Sequence, residues 1–551
     1  MNATVQPLAG EVSCDVAIVG YGPVGMVCAA LLAQRGLDVI VIERHPQRFG
    51  LPRAGHLDGE TMRTFQQLGI AEAVELVARP MLEWGLVTAE MEVLATVRLG
   101  ESGSGWKADY LSYQPEFEEI IDKRARQLGV RVEMGMTAIH LQQSVDAVQL
   151  TARATNSLER PQCKINAAYV IGADGASSFV RSAIGVERRD LGFRAMDHLV
   201  LDFEHSDPDR DMPGLPEVYQ VLDINRPTLA GRWSGSRWSR WEFAAKEGES
   251  RDYLESEETC FSLLAKWGIT RADGKINRRA VYSFESTLAA KWRNGRVILI
   301  GDAAHTMPPF MGQGMCTGVR DAVNIAWKIA DVLSRKASDA LLDTYETERA
   351  PHARGMIDMS IAVGELVLVT DPEKARLRDE MLRSGEPPRP PLFPRLIAGI
   401  VRPPDATNSS EADGRPALQA RVAMHGRVDR LDNQFPHPGW RIVSRHAVPE
   451  DLFDHRQRAL MSALKIQIAH ISRGPGADHF IDIDGEYDLW FRKTGLKAFV
   501  QRPDNYVFGT AKTVSELPAL LDELATSLER SGWRGRCEAV SADGNLSVTR
   551  A

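Results

Sequence analysis

Short runs of consecutive apolar residues punctuate the chain, and three of them end in glycine. Residues Cys14 to Gly20 read CDVAIVG, the length and composition of a buried parallel strand. The stretch VGMVCAALLAQRG, rich in Ala and Leu, then predicts a helix closed by Gly36, and DVIVIE predicts a second strand ending at Glu43. A second apolar run ends in Tyr169-Val170-Ile171-Gly172, and a third, Val297-Ile298-Leu299-Ile300, runs into Gly301. Beyond Gly314, the residues Val319, Val323, Ala326, Ala330 and Leu333 recur on one helical face, so their spacing predicts a long amphipathic helix. Upstream of it, EVYQVLDINRPTLAGRWSGSRWSRWEF reads as an aromatic-rich, sheet-like segment with a turn in its middle. Eight prolines fall between residues 387 and 416, which predicts an irregular connector. After the connector, FIDIDGEYDLWFRKTG, KAFVQRPDNYVFGTA and SELPALLDELATSLER alternate strand and helix patterns.

Composition adds bounds. A chain of 551 residues predicts three or four domains, and 44% hydrophobic with 25% charged residues is an ordinary globular balance. The formal net charge of −8 argues against nucleic acid as a partner. Six scattered cysteines without a C-x-x-C pair suggest neither a disulfide framework nor a metal site. No apolar run is long enough to span a bilayer, and the N-terminus lacks a signal-peptide pattern, so a cytoplasmic protein without a membrane partner is expected.

The first glycine cluster is Gly20-Tyr21-Gly22-Pro23-Val24-Gly25, a complete G-x-G-x-x-G between a strand and a helix. Its glycines allow a tight turn and close approach to a pyrophosphate, whose charge the helix N-terminus favours. Glu43 stands where a carboxylate accepts hydrogen bonds from an adenine nucleotide's ribose, with Arg44 beside it. This unit alone leaves FAD and NAD open. The second cluster is Gly172-Ala173-Asp174-Gly175, followed by Arg181; the third is Gly301-Asp302-Ala303-Ala304-His305, then Pro308, Pro309 and Gly312-Gln313-Gly314-Met315. A carboxylate at Asp302 can hold sugar-like hydroxyls, and the following helix directs its positive end at whatever the loop cradles.

With these three motifs in this order, the sequence resembles the class A flavoprotein aromatic hydroxylases, single-component FAD monooxygenases related to para-hydroxybenzoate hydroxylase. The resemblance covers roughly residues 12 to 400. It implies that Gly20, Gly22, Pro23, Val24, Gly25, Glu43 and Arg44 hold the ADP half of FAD, and that Gly301 and Asp302 hold the ribityl chain. It further implies that Pro308 and Gly312 to Met315 face the isoalloxazine ring, and that Asp174 and Arg181 serve FAD and a visiting NADH or NADPH. Arg53 in Pro52-Arg53-Ala54 and Gln114 in YQPEFE match positions near the flavin, with surface or capping roles as the alternative. Cys316 departs from the asparagine common in the family; it is read as a packing residue, not a nucleophile.

The implied reaction hydroxylates a phenolic ring through a flavin hydroperoxide formed with O2 and NAD(P)H, in the service of aromatic compound catabolism. Such chemistry needs exclusion of water and a group to take the phenol's proton. Tyr219 is the first candidate for contacting the phenol oxygen, and His56 and Asp58 are alternative acid–base candidates. Tyr219, Trp233, Trp241 and Pro309 are candidates for lining the ring pocket, against the alternative that the aromatics are sheet packing. One of Arg232, Arg237 or Arg240 would pair with a carboxylate if the substrate carried one.

The expected fold class is α/β: a Rossmann-like FAD-binding domain with an inserted mixed-sheet substrate domain and a C-terminal thioredoxin-like domain. The boundaries are 1–190 and 287–386 for the FAD domain, 191–286 for the substrate domain, 387–416 for the connector and 417–551 for the tail. The tail resembles that of the 3-(3-hydroxyphenyl)propionate hydroxylase and phenol hydroxylase subgroup; lacking C-x-x-C it implies packing or oligomerisation, and a homodimer is left open. The alternatives are a tailoring oxygenase acting on a polyketide or other complex phenol, and a flavin-binding protein without hydroxylase activity. No W-x-W-x-I-P segment supports a halogenase.

Overall fold

A computed structural model describes residues 10–155, 162–193, 196–207, 218–233, 237–385, 392–474, 476 and 478–534. The N-terminal residues 1–9, the proline-dense part of the connector at 386–391, and residues 535–551 with Cys537 lie outside the described residues. The chain divides into one unit of residues 1–330 and 345–394 and another of 331–344 and 395–551.

In the first unit the strand Gly10–Val19 pairs in parallel with Val39–Glu43 on one side and Cys163–Gly172 on the other. Arg131–Met134 and Val297–Leu299 extend the sheet in parallel. Val16, Ile18, Ile40, Val41, Val170, Ile171, Val297, Ile298 and Leu299 are all fully buried. Consecutive apolar residues are what a strand covered on both faces requires. Because the strands run the same way, their carboxyl ends bring the three glycine motifs to one edge. The amide of Ala173 donates to Val19 O at 2.8 Å and that of Ile300 to Gly172 O at 3.0 Å. Gly20 has φ +102°, and a Cβ there would strike the carbonyl of Ala173, so only glycine permits the approach.

A seven-stranded mixed sheet forms the second layer. Its order is Gly274–Ser283, Asp197–His205, Trp238–Ala244, Thr228–Arg232, Val218–Val221, Glu83–Val87, Val93–Arg98, with one parallel pair at Val218–Val221 and Glu83–Val87. Residues 191–286 therefore supply only five of the seven strands; the expected substrate segment is too narrow, and the sheet recruits two strands from before the second glycine motif. One face packs Leu199, Leu201, Phe203, Ala230, Trp241 and Phe243 with Leu254, Cys260 and Leu264 from the adjoining short helices Arg251–Leu254 and Glu257–Leu264.

The helix Gly314–Leu333 is not amphipathic in the expected sense, since every residue from Cys316 to Ile329 is buried. Its polar side is satisfied by pairing: Lys328 Nζ donates to Glu348 Oε2 at 2.8 Å and to Asn324 Oδ1 at 2.8 Å. Glu348 belongs to the helix Asp343–Val367, whose packing covers the side predicted to meet water.

The second unit is a seven-stranded sheet in the order Arg427–Arg430, Arg421–Met424, Phe480–Asp482, Gln467–Ser472, Arg441–Ser444, Ala498–Gln501, Val507–Ala511. Arg441–Ser444 pairs in parallel with Gln467–Ser472 and antiparallel with Ala498–Gln501, and Val507–Ala511 closes the edge. The helix Leu517–Arg530 buries Leu517, Leu520, Leu521, Leu524 and Leu528, the single stripe its spacing predicts. Among the described residues no helix is long and apolar enough to cross a membrane.

Candidate active site

At the shared sheet edge, helix Pro23–Gln34 begins with Pro23 directly after Gly22. A Cβ at Gly22 would meet nothing within 4 Å, so open space lies where a pyrophosphate approaches that helix end. Val24 turns the other way and packs on the third motif: a Cβ on Gly301 would stand 3.2 Å from its Cγ1. Gly25 abuts the carbonyl of Gly20. Glu43 accepts from the amides of Tyr21 at 2.8 Å and His45 at 2.9 Å, which fixes its carboxylate at the mouth of the loop. Arg44 is exposed, its Nε 3.3 Å from His45 Nε2. Nearby, a cavity of about 380 Å³ is lined by Gln47, Arg48, Glu118, Asp122 and Arg126 among others.

The second motif ties itself to the third. Asp174 accepts from Ser178 Oγ at 2.5 Å and from the Val180 amide at 3.1 Å, and burial raises its carboxyl pKa. Arg181 donates to Ala303 O at 3.0 Å and to Ala176 O at 2.8 Å, so its guanidinium is consumed as a strut between the two loops. The third motif is anchored from beneath by Asp321, fully buried, which accepts from the Gly301 amide at 3.1 Å, His305 Nε2 at 2.7 Å and Arg349 Nε at 2.9 Å. Burial opposes ionisation there, but His305 and Arg349 prevail and hold the Asp321 carboxyl below the usual range. Asp302 is exposed at this loop, and among the described residues nothing hydrogen-bonds its carboxylate. The surrounding protein raises its pKa, with His305 and Arg53 pulling it down. An open glycine cradle, a fixed acid at the loop mouth and an unengaged acceptor at Asp302 fit a flavin adenine dinucleotide laid along this edge.

The segment after Arg53 carries the polar chemistry. Gln114, first residue of the helix Gln114–Gln127, accepts from the amides of Arg53 and Ala54, both at 2.7 Å, and donates to Glu118 at 2.6 Å. The Arg53 guanidinium lies 4.2 Å over the ring of Phe49. His56 Nε2 is 2.6 Å from Asp109 Oδ1, and its Nδ1 is 3.3 Å from Gly312 O. Two acceptors facing two ring nitrogens demand two N–H groups, so the geometry suits an imidazolium. Burial opposes that charge, yet the bond to Asp109 and the proximity of Cys316 raise the His56 pKa well above its ordinary value. Cys316 itself is buried, its thiol 3.7 Å from the His56 carbonyl.

Asp58 has a different place from His56. It caps the helix Gly59–Gln67 by accepting from the Thr61 amide at 2.8 Å, and it pairs with Arg320 at 2.5 Å, which holds its pKa down despite burial. Arg320 also donates to Gln313 Oε1 at 3.2 Å, so the Asp58 pair braces the Gly312–Gly314 loop. Pro308 accepts from Ser360 Oγ at 2.8 Å, Pro309 opens the turn Pro309–Met311, and Met315 is half-buried just beyond.

Sheet register separates the aromatic candidates. Val218, Gly231, Arg240, Asp202 and Arg278 form one cross-strand row, and Arg240 and Arg278 both donate to the carbonyl of Pro52, so this row faces the His56 segment. Trp233 joins that side: its indole leaves no room for a Cβ on Gly55. Tyr219, Ala230, Trp241 and Leu201 form the next row and therefore point to the opposite face. There Trp241 is fully buried in the apolar core, and Tyr219 lies against Gly85. Tyr219 and Trp241 are thus not brought to His56, which corrects the expectation for both; Trp233 is. Of the three candidate arginines, Arg237 pairs at the surface with Glu204, Arg240 is buried with Asp202, and Arg232 sits in an alternate register on the Tyr219 side.

Asp109, Asp321, Arg320 and Asp202 are contact partners of the candidate residues or of the loops that carry them, and sequence reasoning misses them.

The profile of a family described as FAD binding domain matches residues 13–360, and that of the HcaD C-terminal domain matches residues 414–527. A "Probable NADH-specific resorcinol 4-hydroxylase" of Rhodococcus jostii (strain RHA1) is 34% identical over 538 residues, covering 96% of this chain and 98% of that protein. A 3-(3-hydroxy-phenyl)propionate/3-hydroxycinnamic acid hydroxylase of Shigella sonnei (strain Ss046) is 30% identical over 530 residues, covering 92% and 93%. Among solved structures, the flavin-dependent monooxygenase PieE in complex with FAD and substrate superposes with a TM-score of 0.76 at 20% identity, covering 95% of this chain and 100% of that one. Aklavinone-11 hydroxylase with FAD and aklavinone gives 0.75 at 22% identity, covering 94% and 99%. At those identities the two structures show the fold alone.

Proposed function

The chain belongs to the FAD-binding-domain family that includes flavoprotein aromatic hydroxylases, and from that premise we propose that it hydroxylates the ring of a small phenol with NADH and O2. The observation that carries this reading is the His56–Asp109 pair, set 2.6 Å apart and backed by the carbonyl of Gly312. FAD, when bound, would accept hydride from the nicotinamide and deliver one atom of O2 to the ring. The residues Gly20, Gly22, Glu43 and Asp302 would hold it, and the Gly312–Gly314 loop would lie along its ring.

The protein's share is positional and electrostatic. An electron-rich phenolate is the better nucleophile, so the phenolic proton must leave and the site must stabilise the resulting charge. The phenolic proton is released to water before the ring is enclosed, and His56, held as an imidazolium by the Asp109 carboxylate and the Gly312 carbonyl, supplies positive charge beside the phenolate. Trp233, Val218 and Leu111, clustered on the same side, keep water from the reacting oxygen.

The second unit is read as a thioredoxin-like domain. Its parallel pair flanking Arg441–Ser444, followed by an antiparallel pair and a terminal helix, supports this assignment. The reading also includes a cytoplasmic location and domain limits near residues 190, 286, 386 and 416, with the strands at 83–98 added to the substrate sheet.

The test is direct. Purified protein is expected to be yellow, and its NADH oxidation to rise sharply with resorcinol or a 3-substituted phenol, yielding a product one oxygen atom heavier. Protein that stays colourless after incubation with FAD, or that releases only hydrogen peroxide with every phenol tried, would overturn the proposal. NADPH in parallel assays decides the nicotinamide preference, for which the NADH specificity named for the Rhodococcus relative is the support.

A further inference from the structure

The sheet face that meets Pro52–His56 carries an acid without a hydrogen bond. In the strand Trp238–Ala244, Glu242 follows Arg240 by two residues and so points to the same side. Its cross-strand neighbours are Val200 and Leu229, with Ala280 and Gln220 next in the row. Three of these four are apolar, and Gln220 directs its amide to the Thr228 carbonyl at 3.2 Å. Arg240 Nη1 stops 3.8 Å from Glu242 Oε1, beyond hydrogen-bond range, because its guanidinium is drawn to Asp202 and to the carbonyls of Pro52 and Arg53. Among the described residues nothing hydrogen-bonds the Glu242 carboxylate, yet the side chain is 17% exposed and neither oxygen is sealed from solvent. Burial raises its pKa against the pull of Arg240.

This position lies between the two segments next to the Gly312–Gly314 loop. On one side Arg240 and Arg278 reach the Pro52 carbonyl, and Arg278 Nη2 there is also without a partner. On the other, His198, paired with Ala244, stands 6.1 Å from the ring of Phe310 in the turn Pro309–Met311, and Phe193 stands 5.8 Å from the same ring. The face thus offers donors at its Pro52 end and, at Glu242, an acceptor bordered by Val200 and Leu229. A carboxylate short of donors in apolar surroundings is unfavourable, and a ligand that brings an O–H or N–H to it recovers that cost. A ring substituent without such a donor strips the carboxylate of water and leaves it unpaired.

We propose that Glu242 accepts a hydrogen bond from a second hydroxyl on the substrate ring, so that the site prefers a dihydric phenol to a monohydric one. This rests on the hydroxylase reading above, and it names the substrate class and the residue that reads it. The reacting oxygen stands beside His56 as phenolate. The second hydroxyl keeps its proton and shares it with Glu242.

The experiment uses the FAD-loaded protein and four phenols that differ in one substituent: resorcinol and 3-aminophenol, which carry a second donor, against 3-methylphenol and 3-methoxyphenol, which do not. Dissociation constants come from perturbation of the flavin absorbance, and turnover from NADH oxidation. The two donors are expected to bind at least about 10-fold more tightly than the other two, the scale of a hydrogen bond to a charged group. Equal or tighter binding of 3-methylphenol overturns the substrate class, and this comparison depends on no mutant. Glu242→Leu removes the acceptor and is expected to bring the ratio of the resorcinol and 3-methylphenol constants close to one. Glu242→Gln keeps the shape and a neutral, weaker acceptor, and is expected to retain only part of the ratio. A yellow, folded variant of either kind with the wild-type ratio overturns the role of Glu242. If no phenol yields hydroxylated product while the donors still bind selectively through Glu242, the hydroxylase reading fails and the selectivity stands.

Discussion

Gly312 and His56 are in direct contact: a Cβ on residue 312 would stand 2.8 Å from the Cβ of His56, and Gly312 holds φ +63°. Both the backbone conformation and the space therefore require glycine. Gly312→Ala should push the loop off the His56 segment and lower kcat/KM for the phenol by about 100-fold, since misplacement of about 1 Å has that effect. Steady-state kinetics with a circular dichroism check settles it; an alanine variant with unchanged kcat/KM would show that the contact is incidental.

The His56 pair should carry a pH signature. Its folded pKa is raised by Asp109 and Cys316 against the opposing effect of burial. A group raised on folding adds stability that is complete below its unfolded pKa, about 6.5, and is lost as pH climbs through the folded value. The urea midpoint of the wild type should thus exceed that of His56→Gln most at about pH 6, with the gap closing under alkaline conditions. Phenol-stimulated NADH oxidation should fall in the same alkaline range. A gap that stays constant across the titration would mean that His56 carries no charge in the fold.

Asp302 is expected to matter for the cofactor and not for folding. It has no partner within the described protein, so Asp302→Ala breaks nothing that holds the loop, which hangs instead from Asp321. Loss of a charged hydrogen-bond acceptor is worth about 1.5–3 kcal/mol, so FAD affinity should fall by about 10- to 100-fold. Fluorescence titration of apoprotein with FAD measures it, and an unchanged thermal midpoint of the apoprotein is the control.

Lys328 and Glu348 should behave in the opposite way. Both side chains are fully buried, and removing one partner leaves a charge with no water. Lys328→Met should destabilise the first unit by about 3–5 kcal/mol, and Lys328→Met with Glu348→Leu should recover most of it. Urea unfolding of the three proteins tests this; equal midpoints for the single and double variants would show that burial of the charge is not the cost.

The local pieces of the cofactor edge are readable from the chain because each is a contiguous strand, glycine turn and helix start whose geometry needs few distant partners. The partners of the site are not. Asp109 and Asp202 look like ordinary surface acids until strand pairing sets one against His56 and the other against two arginines. The error over Tyr219 and Trp241 has a sharper cause. In Trp238–Ala244 six of seven residues are buried, so alternation gives no parity, and the direction that meets His56 cannot be told from the one that meets the helices. The long helix misleads in the same way, because ion pairs let polar residues occupy positions that periodicity assigns to water.

The pairing of Gly85 with Tyr219 also constrains how the protein comes into being. During synthesis the strand Glu83–Val87 leaves the ribosome long before its parallel neighbour Val218–Val221 exists, and the whole of the strand Cys163–Gly172 is made in between. Until then the hairpin of Glu83–Val87 and Val93–Arg98 leaves bare the Glu83–Val87 edge that Val218–Val221 later takes, and closing that long loop is entropically slow. Nascent chains too short for Val218–Val221 to have emerged from the ribosome should therefore offer that edge to chaperones, and chains long enough to release it should not.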